Sequence, residues 1–113
     1  MTRGIAPLPE TLAVPDTDPV YSTVADMRTI SHVLCKVTNS TDKAISITPE
    51  YTTGEDEGFD AGVEGTSQNI AAGTTGYFVV TDPWSFVRAK IVAADVPTPG
   101  GVVSLAWDFK GCR

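Results

Sequence analysis

The sequence predicts an all-β protein: one antiparallel β-sandwich, jelly-roll or immunoglobulin-like, of six to eight short strands behind an extended N-terminal arm. Three observations predict it. Apolar–polar alternation with a period of two recurs along the chain, and no stretch carries a helical period. Ten glycines and eight prolines among 113 residues supply frequent turns. The hydrophobic fraction of 42% is enough for a core, while 19% charged residues is too few for a charge-rich disordered chain. The length fits one domain, divided by composition into an arm, residues 1–20, and a sandwich, residues 21–113.

The arm comes first. Pro7, Pro9, Pro15 and Pro19 hold φ near −65° and keep their preceding residues extended. Ile5, Leu8, Leu12, Val14 and Val20 follow neither a helical nor a strand period, yet water solvates them poorly. Two destinations are open to such an arm, its own domain or a neighbouring subunit. Up to roughly 60 Å of extended chain exceeds the groove a small domain offers, which favours the neighbour.

Strands follow from Tyr21. Residues 21–25 make a short one. Residues 29–38 make a stronger one, with Val33, Cys35 and Val37 on one face and His32, Leu34 and Lys36 on the other. The turn formers of Asn39–Lys43 then lead into residues 44–51, where Ile45 and Ile47 alternate with Ser46 and Thr48. The pair reads as a hairpin, in which Pro49 marks an edge or an exit from the sheet. Residues 52–66 are a glycine- and acid-rich loop. Residues 67–72 form a strand around Ile70, residues 72–76 a turn, and residues 77–81 a strand of aromatic and β-branched residues. Residues 85–94 and 102–110 complete the set around the loop 95–101. If these two form a hairpin pivoting near Thr98, Arg88 falls opposite Asp108, and Val87, Ala89 and Ile91 meet Leu105, Trp107 and Phe109.

Charge and compartment narrow the function. Fourteen acids against eight bases give a net charge of −6, a sign that repels phosphate backbones, so nucleic acid is not an expected partner. The N-terminus lacks the apolar run of a signal peptide, and no stretch approaches the ~18 apolar residues of a membrane span. The expectation is no membrane association, with synthesis in the cytoplasm. Cys35 and Cys112 allow two readings: reduced thiols, or a disulfide closing most of the domain and contributing about 4 kcal/mol.

Catalytic chemistry has little to stand on. His32 reads as a strand-face residue rather than a base, and no nucleophile elbow, dinucleotide turn or phosphate loop occurs. The expectation is therefore no enzyme and no cofactor. Seven acids and no base lie between Lys43 and Arg88, and Glu55, Asp56, Glu57 and Asp60 offer oxygen ligands of the kind Ca²⁺ takes. Their spacing departs from the calcium-loop pattern, so a solvated loop or a contact for a basic partner is the preferred reading. Trp84 and Phe86 either stack on sugar rings or close the end of the core, and the second is favoured.

Taken together, Val33–Ile47 with its Asn-Ser-Thr turn, Asn69–Gly76, Asp82-Pro-Trp-Ser-Phe-Val-Arg88 and the Pro-Thr-Pro-Gly-Gly turn resemble a known group. They are the small β-sandwich virion structural proteins of tailed bacterial and archaeal viruses: capsid decoration or cement proteins, turret subunits, head–tail and tail components. The resemblance covers residues 30–110 in style and segment order. It implies a non-enzymatic homo-oligomer in the virion, bound to itself and to other virion proteins such as the major capsid protein. The arm residues Ile5, Leu8, Leu12 and Val14 would then grip neighbouring subunits. Capsid decoration or a turret role leads, with a head–tail connector or tail component as the alternative. From a different class comes a carbohydrate- or receptor-binding module that uses Trp84, Phe86 and the acidic loop.

Overall fold

A computed structural model describes residues 8–52, 63–81 and 84–110. Among these lie ten strands: β1 Glu10–Ala13, β2 Val20–Tyr21, β3 Ala25–Asp26, β4 His32–Asn39, β5 Ile45–Thr52, β6 Val63–Glu64, β7 Gln68–Ile70, β8 Thr75–Thr81, β9 Phe86–Ala93 and β10 Val102–Lys110. All pairings are antiparallel. One sheet runs β1-β10-β4-β8, and the other runs β2-β9-β5-β6, with β3 also on β9 and β7 also on β5.

Two of the strand positions are interrupted rather than added. The register on β9 passes from Tyr21↔Lys90 to Ala25↔Val87, which leaves one extra residue near Thr23–Val24, a β-bulge opposite Arg88. On β5 it passes from Ile47↔Gln68 to Glu50↔Glu64, which places another extra residue at 65–67. The ten segments therefore fill eight positions, four per sheet, where six to eight strands were expected. Successive positions change sheet everywhere except from β5 to β6 and β7. That winding is the jelly roll, which decides between the two sandwich types the sequence left open.

Two expected hairpins are corrected by this winding. β4 pairs with β10 and β8, and β5 with β9, so Asn39–Lys43 carries the chain between sheets instead of turning it within one. Likewise β9 and β10 lie in different sheets. Arg88 is opposite Glu50, and Asp108 is opposite Leu34 and bridges Lys110 at 3.4 Å. Alternation assigns each residue a face but names no partner strand, and a short turn spans the ~10 Å between packed sheets as readily as it closes a hairpin.

The faces themselves fall as the alternation predicts. Val33, Cys35 and Val37 of β4, Ile45 and Ile47 of β5, Val87, Ala89 and Ile91 of β9, and Val103, Leu105, Trp107 and Phe109 of β10 are all buried. Met27 and Ile30, from the crossing between β3 and β4, are fully buried with them. Cys35 is a free thiol, and burial pushes its ionisation far above the usual range. Cys112 lies outside the described residues. Trp107 meets Phe78 edge-on, with centroids 5.9 Å apart, and its indole N–H has no acceptor among the described residues. Such an orphan costs about 1–3 kcal/mol, less than the roughly 3–5 kcal/mol lost when a buried aromatic is truncated.

The sheet-to-sheet turn is held by Asn39, whose side chain is fully buried. Its amide donates to the carbonyls of Lys43 at 2.8 Å and Ile70 at 3.1 Å. Its Oδ1 accepts from the Thr41 N–H at 3.0 Å and the Thr41 hydroxyl at 2.7 Å. One side chain thus ties the ends of β4, β5 and β7. Beside it, Asp42 accepts from the Thr98 backbone N–H at 3.0 Å and from the Thr98 hydroxyl, which binds the turn before β10. That turn closes from the Gly101 N–H to the Thr98 carbonyl at 3.1 Å, with Pro99 second and Gly100 third at φ 93°. Proline then a left-handed residue is the type II pattern, and glycine adopts the third position without a Cβ penalty.

Candidate interaction surfaces

The arm enters the sandwich earlier than its composition suggests. Glu10–Ala13 adds to the edge of the first sheet, with Leu12 opposite Val103. Leu12 packs partly against the core and Val14 is buried, its N–H donating to the Gly101 carbonyl at 3.2 Å. The Glu10 carboxylate accepts from the N–H and the hydroxyl of Thr23, both at 2.9 Å, in the bulge of the opposite sheet. Residues 10–14 are therefore fastened to their own domain, the first of the two destinations weighed for the arm. Leu8, just upstream, is 84% exposed. Ile5 lies outside the described residues.

Trp84 and Phe86 do not sit side by side in solvent. Trp84 stacks on Tyr51, with ring centroids 4.7 Å apart and planes 16° from parallel, and the two close one end of the core. Phe86 is 2% exposed. The strand period puts it on the outer face of β9, where the Arg28 guanidinium lies 4.9 Å above its ring. Arg28 is itself held by Asp26, at 3.0 Å through Nε and 2.7 Å through Nη2, and this hydrogen-bonded pairing draws the Asp26 carboxyl below the usual range. The correction to a ligand-facing Phe86 is thus physical: a cation covers the ring.

The same device recurs further along that face. Arg88 lies 4.0 Å over the Tyr21 ring and donates to Glu50 Oε1 at 2.7 Å. Lys90 reaches Glu64 at 3.4 Å. The outer face of the second sheet is therefore a ladder of opposite charges on aromatic supports, with partners met within the chain.

The outer face of the first sheet differs. Ser104 and Ala106 of β10 are small and form the floor of a shallow groove of about 310 Å³, flanked by Pro9 and Thr11 on one side and Lys36 and Thr38 on the other. His32 is exposed at the far end of this face, its Nδ1 2.9 Å from the Ser31 hydroxyl. Beyond β4 lies the edge strand β8, where Tyr77 is 61% and Val79 51% exposed, next to half-buried Leu34. These two were read in the sequence only as strand residues. Tyr77, Phe78, Val79 and Val80 are all apolar, so alternation could not tell which pair faces water.

The acids Glu55, Asp56, Glu57 and Asp60, and Pro83 before Trp84, lie outside the described residues. Among the described residues no three His, Cys, Asp or Glu side chains converge to hold a metal.

These features define a class: a small antiparallel jelly-roll sandwich with exposed apolar groups at Tyr77 and Val79 on one sheet edge and at Leu8 before β1, besides single ones at Tyr21, Val63 and Val96. Its fold is similar to that of the PBSX exported protein XepA, with a TM-score of 0.67 over 100% of this chain. The two are 14% identical, and the match takes in 41% of XepA, so this chain spans less than half of that protein's length. At such identity the likeness is one of fold. No protein-family model matches the sequence, and no curated protein matches it.

Proposed function

We propose that this protein is a non-enzymatic structural component of a phage particle, a capsid decoration or turret subunit that clamps neighbouring virion proteins through the start of its N-terminal arm. The observation that carries the reading is the contrast within that arm. Glu10, Leu12 and Val14 anchor it to the sandwich, while Leu8 stands 84% exposed immediately upstream. An anchored base with an apolar tip delivers a sticky segment from a fixed point, which lowers the entropy lost on docking. The likeness to XepA, a protein of phage PBSX, supports the same setting. Partners are further copies of this chain and other virion proteins such as the major capsid protein. A head–tail or tail position is the alternative within this class. Trp84, stacked on Tyr51 and half-buried, lends no support to a sugar platform.

The test removes residues 1–8 and keeps β1. Co-sedimentation with particles should fall at least tenfold while the melting temperature holds, and Leu8→Asp in the full chain should act in the same direction. Undiminished binding by the shortened chain would end this reading.

A further inference from the structure

We infer that β8 is a self-association edge, across which two copies of this chain join antiparallel to continue the first sheet through both molecules. The inference goes beyond the arm-based reading and does not depend on it.

The four sheet edges are treated unequally. β1 is short, carries Glu10 and lies between Pro9 and Pro15. The β2–β3 edge follows Pro19 and is broken by its bulge. The β6–β7 edge is broken at 65–67 and carries Glu64. These are the devices that keep strand edges from pairing. Within β8 there are none of them: its seven residues, Thr75–Thr81, run without proline, bulge or charge, and Asp82 and Pro83 follow only after its end. Its neighbour β4 has Lys36 as its one Lys or Arg and no acid, in a chain that has 14. For a molecule of net charge −6, this is where a second copy meets least repulsion.

The register supplies the fit. Asn39 donates its N–H to the Thr74 carbonyl and accepts from the Gly73 N–H, so the ladder places Gly76, Phe78 and Val80 in bonds toward β4. Thr75, Tyr77, Val79 and Thr81 then turn their N–H and C=O groups to the open edge. With Phe78 on a two-fold axis, Tyr77 falls opposite Val79 of the second copy, and Thr75 opposite Thr81. About eight main-chain hydrogen bonds close, and each Tyr–Val contact is a favourable aromatic–β-branched cross-strand pair. Gly76 falls opposite Val80 of the second copy. Such a joint is small beside the roughly 1,200–2,000 Å² of a standard interface, the size class of weak and transient association.

Sedimentation equilibrium of the full chain over roughly 1–100 µM reads this directly. A dimer should form, and Tyr77→Lys/Val79→Lys should raise its dissociation constant at least tenfold without lowering the melting temperature. Val79→Pro should do the same, since it deletes only an outward N–H. Should the lysine pair unfold the protein, Thr75→Lys/Thr81→Lys places the charges on exposed threonines of the same edge. Removal of residues 1–8 should leave the dimer intact, which separates this joint from the arm. A monomer across that range overturns the inference. So does association that survives the folded β8 variants, or that disappears on arm removal alone.

Discussion

Replacing Asn39 by alanine tests whether one buried amide holds the crossing between the sheets. Asn39 makes four short side-chain hydrogen bonds, at 2.8, 3.1, 3.0 and 2.7 Å. At about 1 kcal/mol net for each, their loss costs about 4 kcal/mol. With Oδ1 gone the single Thr41 hydroxyl proton turns to the Lys43 carbonyl 2.8 Å away, which lowers the figure to about 3 kcal/mol. Against a typical 5–15 kcal/mol of total stability this is large. For a domain of this size it lowers the melting temperature by more than roughly 10 °C. Asn39→Asp sharpens the test. It keeps an acceptor for Thr41 but turns an oxygen toward the Lys43 and Ile70 carbonyls, so the new carboxyl resists ionisation and its folded pKa lies above its unfolded one. Stability then rises as pH falls through the folded value, because the protonated group donates where the amide did. Urea midpoints at pH 7 and pH 4.5 for the parent and both variants measure this. A loss below 1 kcal/mol in Asn39→Ala, or a pH-independent offset in Asn39→Asp, would refute the reasoning.

Three further outcomes follow from the same geometry. Asp26 and Asp42 have carboxyls held below the ordinary aspartate value of 3.8, the first mainly by the Arg28 hydrogen bond and the second by the Thr98 hydroxyl. Their stabilisation is complete above about pH 5 and lost as pH falls through the lowered values, so Asp26→Asn/Asp42→Asn should flatten the acid limb of a melting-temperature profile. Arg88 and Glu50 are both mostly buried and 2.7 Å apart, so a double-mutant cycle with alanine should return a coupling of about 1 kcal/mol, with Arg88→Lys recovering only part of it. The Cys35 thiol, buried and held protonated, should resist iodoacetamide in the folded protein and react once urea unfolds it. Modification of Cys35 at the free-thiol rate under native conditions would contradict its placement.

Much of the architecture was legible because strand physics is local. A period of two is written into β4, β9 and β10, and their inward residues are those the alternation names. Turn positions were legible for the same reason, since the turn-forming residues of Asn39–Lys43 and Thr98–Gly101 are neighbours in the chain, whereas the bonds from Asn39 to Ile70 and from Thr98 to Asp42 were not. Pairing was not legible. Arg88 meets Glu50, 38 positions away, and nothing near either residue encodes that choice. β1 and β6 were hidden as well, one among prolines and the other at the end of an acidic loop, because both are short and take their order from a neighbour already in place. Phe86 shows the same limit: sequence favoured it as closing the end of the core over stacking on a sugar, and the Arg28 guanidinium that lies over its ring could not be read from its neighbours.

The sequence by itself determined an all-β sandwich, the inner faces of β4, β5, β9 and β10, the turns, and an acidic surface with an apolar, proline-rich start. These are properties of single residues and of neighbours along the chain. Tertiary structure alone decided the jelly-roll winding, the fastening of residues 10–14, the covering of Phe86 and the open edge at Tyr77 and Val79. Each of these depends on which strand lies beside which, and that is settled when the core is packed and its backbone hydrogen bonds are shared out between distant parts of the chain.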